Sequence, residues 1–446
     1  MQSGTDSNSN DNRQWFGHPR GISTLFFTEM WERFSYYGMR AFLIIYMTTP
    51  AVQGGLGFDE RRAGNIYGFY TGSVWMATIG GGLVADWLLG PYRSVLAGAV
   101  LITLGHLTLT LQALPFFFTG LVLIVLGTGL LKPNVTTMVG SLYSKDDPRR
   151  DAGFSIFYMG INLGAAIGPL IAGYLAQKVN WHIGFGCAAV GMILGLVQYV
   201  YGHKYLKGAL DLLQAQKASE AVKRETGSSS SGFTIVEWKR LAVVVVLFLF
   251  ASIFWGAYEQ AGSTLNLFAE RHTRLSVLGF SFPSSWFQSV PAIFVISLAP
   301  IFAWLWLRLG KNEPSSPLKF TMGLLFVGLS FLLLVPGATL SQGGDRISPL
   351  WLVGVYFLSV VGELCLSPVG LSLVTKLAPQ RVVGMMMGVW FLSIAVGSLI
   401  AGRLAGLFRS YPLPQLFGAV SLTAIGAAIV LLLLIKPLRK LMGGVH

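Results

Sequence analysis

Charged residues are scarce in this sequence. Asp, Glu, Lys and Arg make up 11% of the 446 residues, whereas a soluble globular domain carries about 25%. Hydrophobic residues make up 53%, and the mean hydropathy is +0.62. This composition excludes a soluble protein and indicates an all-α protein that crosses a membrane many times. The net charge of +13 does not indicate nucleic-acid binding, because basic residues in the loops of a membrane protein set its orientation in the membrane.

Cysteine and histidine are also rare. The two cysteines, Cys187 and Cys365, both lie in apolar runs, which excludes a disulfide framework and offers no thiolate metal site. The six histidines are scattered, and the sequence contains neither a Walker loop nor an HExxH motif. We therefore expect no metal, no cofactor and no catalytic residues, and any work that the protein does must draw on an ion gradient.

Apolar segments near the length of a membrane span occur twelve times. Such a span needs about 20 residues, and the segments lie at about 22–49, 62–88, 94–112, 116–140, 152–176, 182–202, 238–266, 284–308, 318–338, 350–376, 383–408 and 413–436. Six precede the polar stretch 203–237, whose GSSSSG at 227–232 is typical of a flexible linker. The sequence predicts a cytoplasmic tail (1–20), a six-helix bundle (21–202), a cytoplasmic linker (203–237), a second six-helix bundle (238–436) and a second tail (437–446).

The loops carry an orientation signal. Lys and Arg are concentrated in the loops of one side, which predicts that both termini are cytoplasmic. The second segment ends in GGGLVADWLLGPYR at 80–93, which resembles the signature of the loop between helices 2 and 3 in the major facilitator superfamily. Its Asp86 and Arg93 are suited to a charge latch at the cytoplasmic ends of the helices.

The first segment contains the stretch EMWERFSYYGMR at 29–40. At about 100° per residue, one narrow stripe of a helix holds Glu29, Glu32, Arg33, Tyr36 and Arg40, with Tyr37 beside it. A charge at the bilayer centre costs about 3 kcal/mol, so these groups must pair and face protein or water. The stripe is either a structural network of ion pairs or, as is the default for intramembrane ionisable groups, a proton and substrate pathway.

Segments 4 and 5 add polar groups at mid-membrane depth. Lys132 precedes Pro133 in segment 4, and a lysine at this depth needs an anion from the protein or from a substrate. In segment 5, Asn162 offers both a donor and an acceptor, which suits a peptide amide. Another face of segment 5 repeats glycine every four residues, as expected for close helix packing, at Gly160, Gly164 and Gly168.

The C-terminal half contributes acids but no mid-membrane cation. Segment 7 holds Trp255 and Glu259, segment 10 holds Glu363 and Ser367 above Pro368, which we expect to break that helix, and segment 11 holds Trp390. Because every mid-membrane cation lies in the first half, opposite charges meet between the halves, which is where transporters place their substrates. A buried carboxylate that loses its cation takes up a proton, so the coupling ion is expected to be the proton.

Five stretches resemble the proton-dependent oligopeptide transporter family of the major facilitator superfamily. They are ExxERFxYY at 29–37, GxGLxKPN at 127–134, FSIFYMGINLGA at 154–165, FWxxxEQ at 254–260 and GELxxSPxGLSxVTKLAP at 362–379. They span both halves in the order of the family. The resemblance implies twelve core helices in the major facilitator arrangement and the import of di- and tripeptides with protons by alternating access.

Residue roles follow from the same resemblance. It implies proton coupling by Glu29, Glu32, Arg33 and Glu259. It implies a substrate cavity lined by Arg33, Tyr36, Tyr37, Trp75, Lys132, Asn162, Trp255, Glu363, Ser367 and Trp390. Lys132 and Arg33 are expected to face the peptide carboxylate, and Glu363 its amino group. We also expect two gating pairs, Arg40 with Glu259 when the outside is closed and Lys132 with Glu363 when the cytoplasmic side is closed.

Three features depart from the family pattern. Trp75 stands where members usually have Tyr, which removes a hydroxyl, and Pro291 stands where Asn is usual, which removes an amide. The linker 203–237 is too short and too polar for the two extra helices of many bacterial members. These departures leave the class unchanged but affect the range of substrates.

Other interpretations of the sequence remain open. One is a relative that carries another solute, such as nitrate or another metabolite, although plant nitrate carriers usually lack parts of the ExxER set, which is complete here. Another is a membrane receptor or structural protein whose buried charges merely pair. The sequence does not support an intramembrane hydrolase, since it contains no Ser–His pair and no set of metal ligands at a suitable spacing. We expect a monomer in a bacterial plasma membrane (the inner membrane), with short peptides, protons and membrane lipid as partners and no nucleic acid.

Overall fold

The computed structural model describes residues 14–144, 147–213, 233–379 and 382–443. It is all-α apart from two hairpins of two-residue strands, β1 (Gln14–Trp15) with β2 (His18–Pro19) and β3 (Ser276–Val277) with β4 (Phe280–Ser281). The long helices are α1 (Gly21–Thr48), α2 (Glu60–Val84), α3 (Gly90–Leu109), α4 (Leu114–Ser141), α5 (Arg150–Gly168), α6 (Trp181–Gly202), α7 (Ile235–Tyr258), α8 (Val290–Leu309), α9 (Ser316–Ser341), α10 (Leu350–Leu377), α11 (Val383–Ala405) and α12 (Leu413–Met442). Most of the linker, including its GSSSSG stretch, lies outside the described residues.

Ten helical segments of the described chain are long and apolar enough to cross a membrane. Two features reconcile this number with the twelve segments predicted from the sequence. The ionisable residues of the charged stripe exclude α1 from the ten, and α2 and α3 join into one helical stretch, Glu60–Leu109, of 50 residues. A straight helix of that length would measure about 75 Å, but the chain turns at Gly90, whose φ is +73°. The chain is therefore a multi-pass membrane protein.

Local structure differs from the sequence expectations at three places. The predicted loop between helices 2 and 3 is a π-helical turn, Ala85–Leu89. The expected break at Pro368 is wrong, because α10 continues through this residue to Leu377; membrane helices tolerate proline where neighbouring groups satisfy the freed backbone. Span 7 is the interrupted one, since α7 ends at Tyr258 and is followed by a 3₁₀ turn, Glu259–Gly262, and a further helix, Thr264–His272.

The helices pack in two groups of six, which we call the first half (α1–α6) and the second half (α7–α12). In the first half, α1 contacts α5 and α6, while α4 contacts α2 and α3. In the second half, α9 contacts α10 and α12, while α7 contacts α11. The halves meet along α2 with α11 and along α5 with α8. This arrangement puts α1, α4, α7 and α10, which carry the predicted site, around the space between the halves.

Glycine permits close approach at the α2–α11 contact. A Cβ atom on Gly68 would lie 2.8 Å from Cα of Gly402 and 2.9 Å from the carbonyl oxygen of Ser398, which is closer than packed side chains allow. The glycines predicted to form a packing face on α5 (Gly160, Gly164 and Gly168) all lie against α1. Small residues thus bring the backbones together both within the first half and between the halves.

The two halves are in contact at the end of the bundle that carries the connections 49–59 and 273–283, which we call the outer end. Glu60 at the start of α2 pairs with Arg271 Nη1 at 2.6 Å and with Arg409 Nε at 2.9 Å. Gln177 Nε2 donates to Glu270 at 3.0 Å. These bonds connect residues of the first half with residues of the second, so the structure is closed at its outer end.

The opposite end, which we call the inner end, carries the β1–β2 hairpin. His18 Nδ1 lies 3.0 Å from the Tyr143 hydroxyl, and Arg149 donates to the carbonyl oxygen of Gly17 at 3.1 Å. Arg149 also donates to Asp147 and so holds the pKa of that carboxyl below its usual value. The hairpin is thereby attached to the connection between α4 and α5.

Candidate functional site

The charged stripe of α1 is buried and paired. Glu29, Glu32 and Arg33 are each at most 1% exposed. Arg33 donates through Nε and Nη2 to the two oxygens of Glu32, the second bond measuring 2.6 Å, and its Nε lies 3.5 Å from Glu29 Oε1. The rings of Tyr36 and Tyr37 lie 5.0 and 5.7 Å from the Arg33 guanidinium carbon. Two carboxylates therefore share one guanidinium, and Glu32 holds it more closely than Glu29 does.

Lys132 of α4 reaches the same cluster. Its Nζ lies 3.4 Å from Glu29 Oε1 and 5.6 Å from the centre of the Trp75 ring. Trp75 stacks on Phe391 of α11, with ring centres 5.8 Å apart and planes inclined by 12°. Trp75 thus offers the lysine an aromatic face.

Arg40 connects the halves above this cluster. It lies seven residues beyond Arg33, about 10 Å nearer the outer end. Its Nη2 donates to Glu259 Oε2, and its Nε donates to the Tyr67 hydroxyl at 2.5 Å. The side chains of Arg40 and Glu259 are only 10% and 8% exposed. Glu259 is the first residue of the 3₁₀ turn that interrupts span 7, so this ion pair lies at the break.

Glu363 is the other predicted acid of the second half. It is half-buried on α10 and accepts a hydrogen bond from the Tyr258 hydroxyl. The ring of Tyr258 meets that of Trp255 edge-on at 5.5 Å. Ser367 is half-buried one turn further along α10. In this structure Lys132 is therefore paired with Glu29, while Glu363 is bonded to Tyr258.

Two of the predicted cavity residues are engaged within their own halves. Asn162 is 7% exposed, and its side-chain amide donates to the backbone oxygen of Tyr158 at 3.0 Å. Trp390 is 3% exposed and packs edge-on against Phe320, with ring centres 6.0 Å apart, and against Gly370. The structure does not bring these two side chains into the charged cluster.

Sequence reasoning missed three residues that the structure connects to the site. Tyr67 and Tyr258 supply hydroxyls to Arg40 and Glu363. Signals for both were present, because Tyr67 lies two helical turns before Trp75 and Tyr258 directly precedes Glu259. The sequence did not indicate a role for Glu60, because a single acid near a loop is usually a solvated surface charge. In the structure, however, Glu60 is 5% exposed and pairs with two arginines.

The arrangement offers two chemical capacities. When Glu29 is protonated, Arg33 and Lys132 carry one net positive charge on the first half, and Glu363 carries a negative charge on the second; together they complement a ligand with a carboxylate and an ammonium group. Each buried carboxylate can also exchange its cation for a proton. Within the described part of the chain, no group of three or more His, Cys, Asp or Glu side chains could hold a metal ion.

Comparisons with known proteins support the same class. The model of the POT family matches residues 92–209 and 209–420. The chain is 44% identical to the uncharacterized transporter YclF of Bacillus subtilis, over 97% of this chain and 96% of the relative. It is 39% identical to the peptide transporter YePEPT of Yersinia enterocolitica, over 98% of each. It is 38% identical to a di-/tripeptide transporter of Lactococcus lactis, over 97% of this chain and 98% of the relative.

Solved structures give the same result. A peptide transporter POT in complex with sulfate superposes with a TM-score of 0.89 at 41% identity, over 97% of each chain. A POT family transporter in complex with 5-aminolevulinic acid superposes with a TM-score of 0.85 at 35% identity, over 96% of this chain and 98% of that one. The chain therefore belongs to the POT family and has its major facilitator fold.

Proposed function

We propose that this protein is a proton-coupled symporter that imports di- and tripeptides by alternating access. The observation that carries the proposal is the pair of opposite poles, Arg33 with Lys132 on one half and Glu363 on the other. A short peptide is a zwitterion whose ends match these poles. Relatives named as peptide or di-/tripeptide transporters, which align over nearly the whole chain, support the same substrate class.

Proton coupling rests on the carboxylates that hold the cations of the cavity. In this structure Glu29 Oε1 lies 3.4 Å from Lys132 Nζ and forms an ion pair with it. Glu29 therefore competes with a peptide carboxylate for the same ammonium group. A proton on Glu29 cancels its charge and frees Lys132 for the peptide. Acidification therefore strengthens peptide binding, and loss of the proton to the cytoplasm returns Lys132 to Glu29 and expels the peptide.

Gating rests on the ion pairs that join the halves. The Arg40–Glu259 pair holds the outer end closed, and its loss on protonation of Glu259 favours opening to the outside. Lys132 and Glu363 would approach each other when the inner end closes around the cavity. Because breaking a pair shifts a two-state equilibrium by a few kcal/mol, each proton is enough to invert the populations.

The proposal also includes the domain bounds, the orientation in the membrane and the oligomeric state. The units are a first six-helix bundle (21–202) and a second one (238–436), joined by the linker 203–237. The inner end faces the cytoplasm with both termini, in a bacterial inner membrane. The protein works as a monomer without a cofactor and catalyses no reaction.

The test is uptake into proteoliposomes with an imposed pH gradient, acidic outside. We expect labelled dialanine to accumulate above its external concentration, and an ionophore that collapses the gradient to abolish the accumulation. Gradient-driven uptake of nitrate without dialanine would instead favour the other-solute alternative. Saturable binding of dialanine without any uptake would favour a receptor.

A further inference from the structure

The β3–β4 hairpin at the outer end exposes a group of apolar side chains. Val277, Leu278 and Phe280 are 47%, 102% and 60% exposed. Leu278 and Gly279 form the two-residue loop of the hairpin, and their φ angles are +49° and +84°. None of the roles assigned above uses this hairpin.

The residue at the tip is an unfavourable choice for a turn in water. A leucine at positive φ brings its Cβ atom close to a carbonyl oxygen, so Asn, Asp or Gly usually occupies this position of a two-residue loop. The side chain of Leu278 is also fully exposed, so it adds nothing to the core. Because this leucine stabilises neither the turn nor the packing, we look for its partner outside the described part of the chain.

The base of the hairpin is fixed to the second half. The backbone nitrogen of Arg274 donates to the carbonyl oxygen of Ile347 at 2.8 Å, and the nitrogen of Ile347 donates to the carbonyl oxygen of His272 at 2.9 Å. The nitrogen of Phe282 donates to the carbonyl oxygen of Leu275 at 3.0 Å and closes the hairpin. The apolar tip is thus presented by a hydrogen-bonded base.

The hairpin lies next to a lipid-facing surface of the bundle. The ring of Phe280 lies 5.9 Å from that of Trp286, which in turn lies 6.3 Å from the ring of Tyr174. Ile171, in the turn that follows α5, and Ile293 on α8 are each 46% exposed. Of the ten spans in the described chain, the one that contains α8 is the least buried, with only 11% of its most apolar stretch inside the protein. Lipid therefore reaches the bundle directly beside the hairpin.

The length of α8 indicates the depth of the hairpin in the membrane. The 20 residues of α8 measure about 30 Å, which matches the roughly 30 Å of the hydrocarbon core. The start of α8 at Val290 therefore lies at the outer boundary of the hydrocarbon. The hairpin precedes the short turn that leads into α8 and lies at head-group level, where tryptophan and tyrosine side chains such as Trp286 and Tyr174 are enriched.

We propose that the tip of the β3–β4 hairpin, residues 277–280, inserts into the outer leaflet at the boundary between head groups and acyl chains. Its apolar side chains enter the acyl region, as those of interfacial segments do, while the exposed guanidinium of Arg274 at the base binds lipid phosphates. Water is a poor environment for this apolar group. A second copy of the chain fits less well, because a stable protein interface needs a broad face and the tip is a small projection.

The test places a fluorescent bimane label at the tip of the full-length protein in lipid nanodiscs. The label is attached to Leu278→Cys in a protein that also carries Cys187→Ala and Cys365→Ala. Iodide in the water and doxyl-labelled lipids are compared as quenchers. We expect lipids with the doxyl group near the head of the acyl chain to quench the label strongly, and iodide to have little effect.

Two results would overturn the proposal. Quenching by iodide without quenching by the lipids would place the tip in water. Protection from both quenchers would place it against protein, as in contact with a second copy. The matched control is a label on Asp345→Cys, an exposed residue of the connection between α9 and α10 at the same end, which iodide should quench and the lipids should not.

A second label tests the native leucine. Ser276→Cys keeps Leu278 in place and puts the label beside it. Adding Leu278→Asp should increase the quenching of this label by iodide, because a carboxylate is excluded from the acyl region. Leu278→Met, which remains apolar, should leave the quenching unchanged. Equal iodide quenching in the Asp and Met variants would contradict insertion through this side chain.

Discussion

The two carboxylates next to Arg33 are held unequally, and this decides which of them responds to a change of state. Glu32 receives two hydrogen bonds from the guanidinium, while Glu29 lies 3.5 Å from it and shares Lys132 at 3.4 Å. Glu29 can therefore change partner when a peptide arrives, whereas Glu32 fixes the position of Arg33. Both carboxylates, Glu29 and Glu32, must therefore be present for Glu29 to exchange the Lys132 cation for a proton.

The first prediction concerns Glu32→Gln. Without the charge of Glu32, Arg33 is left to Glu29 and holds that carboxylate ionised, so Glu29 can no longer exchange Lys132 for a proton. Uptake against a gradient should therefore be lost, at least tenfold in initial rate, while peptide counterflow without a gradient is partly retained. The measurement is uptake and counterflow of dialanine in the same proteoliposome preparation. Asp211→Asn, an exposed acid at the inner end, is the control. A Glu32→Gln protein that still concentrates peptide under a pH gradient would remove Glu32 from the coupling role.

The second prediction concerns Lys132 and the peptide carboxylate. A hydrogen bond to a charged group contributes about 1.5–3 kcal/mol, so a C-terminally amidated dipeptide should compete roughly 10- to 100-fold less well than the free acid. In Lys132→Gln the affinity for the free acid should fall and the difference between the two peptides should shrink. Competition against labelled dialanine measures both effects.

A matched variant separates this role from a general loss of positive charge. Lys178→Gln removes an exposed lysine at the outer end and should preserve the preference for the free acid. Equal competition by free and amidated peptides in the wild-type protein would exclude Lys132 and Arg33 as carboxylate ligands.

At the scale of the element, the close contact between α2 and α11 gives the third prediction. The methyl group of Gly68→Ala would lie 2.8 Å from Gly402 Cα, and such overpacking costs about 1–3 kcal/mol. We expect a lower thermal unfolding temperature in detergent and slower uptake. Gly80→Ala on the same helix, where nothing lies within 4 Å of the added methyl, should behave as wild type. If both variants are equally stable, the helices can separate at Gly68 without cost.

The elements also show where sequence reasoning succeeds and where it stops. Apolar length predicts the twelve segments, and a 3.6-residue period places the ionisable groups of α1 on one stripe, since both properties are local. The break after Tyr258 was missed because apolarity continues across it. The partner of Lys132 could not be chosen either, because Glu29 and Glu363 are both acids at suitable depth and only the packing of α1 on α4 decides between them.

At the scale of the whole molecule, the cluster around Glu60 gives the fourth prediction. This acid of the first half pairs with Arg271 and Arg409 of the second. Glu60→Gln removes the charge that both arginines share, and a change of about 1.4 kcal/mol shifts the ratio of states tenfold. We expect a larger outward-open population, measured as increased distances between spin labels placed on the outer ends of the two halves.

The control for this variant is Asp345→Asn, which removes an exposed acid at the same end. It should leave the distance distribution unchanged. An unchanged distribution in Glu60→Gln would mean that the cluster around Glu60 does not hold the outer end closed.

The interruption of span 7 gives this helix an elbow. Its outer piece, Thr264–His272, is tied to the first half, because Asn266 donates to the backbone oxygen of Ala41 at 2.7 Å and Arg271 binds Glu60. Its inner piece belongs to the second half and carries Tyr258, the partner of Glu363. Bending at Glu259–Gly262 would let the two pieces move relative to each other, so that a change at the outer end need not disturb the bond between Tyr258 and Glu363.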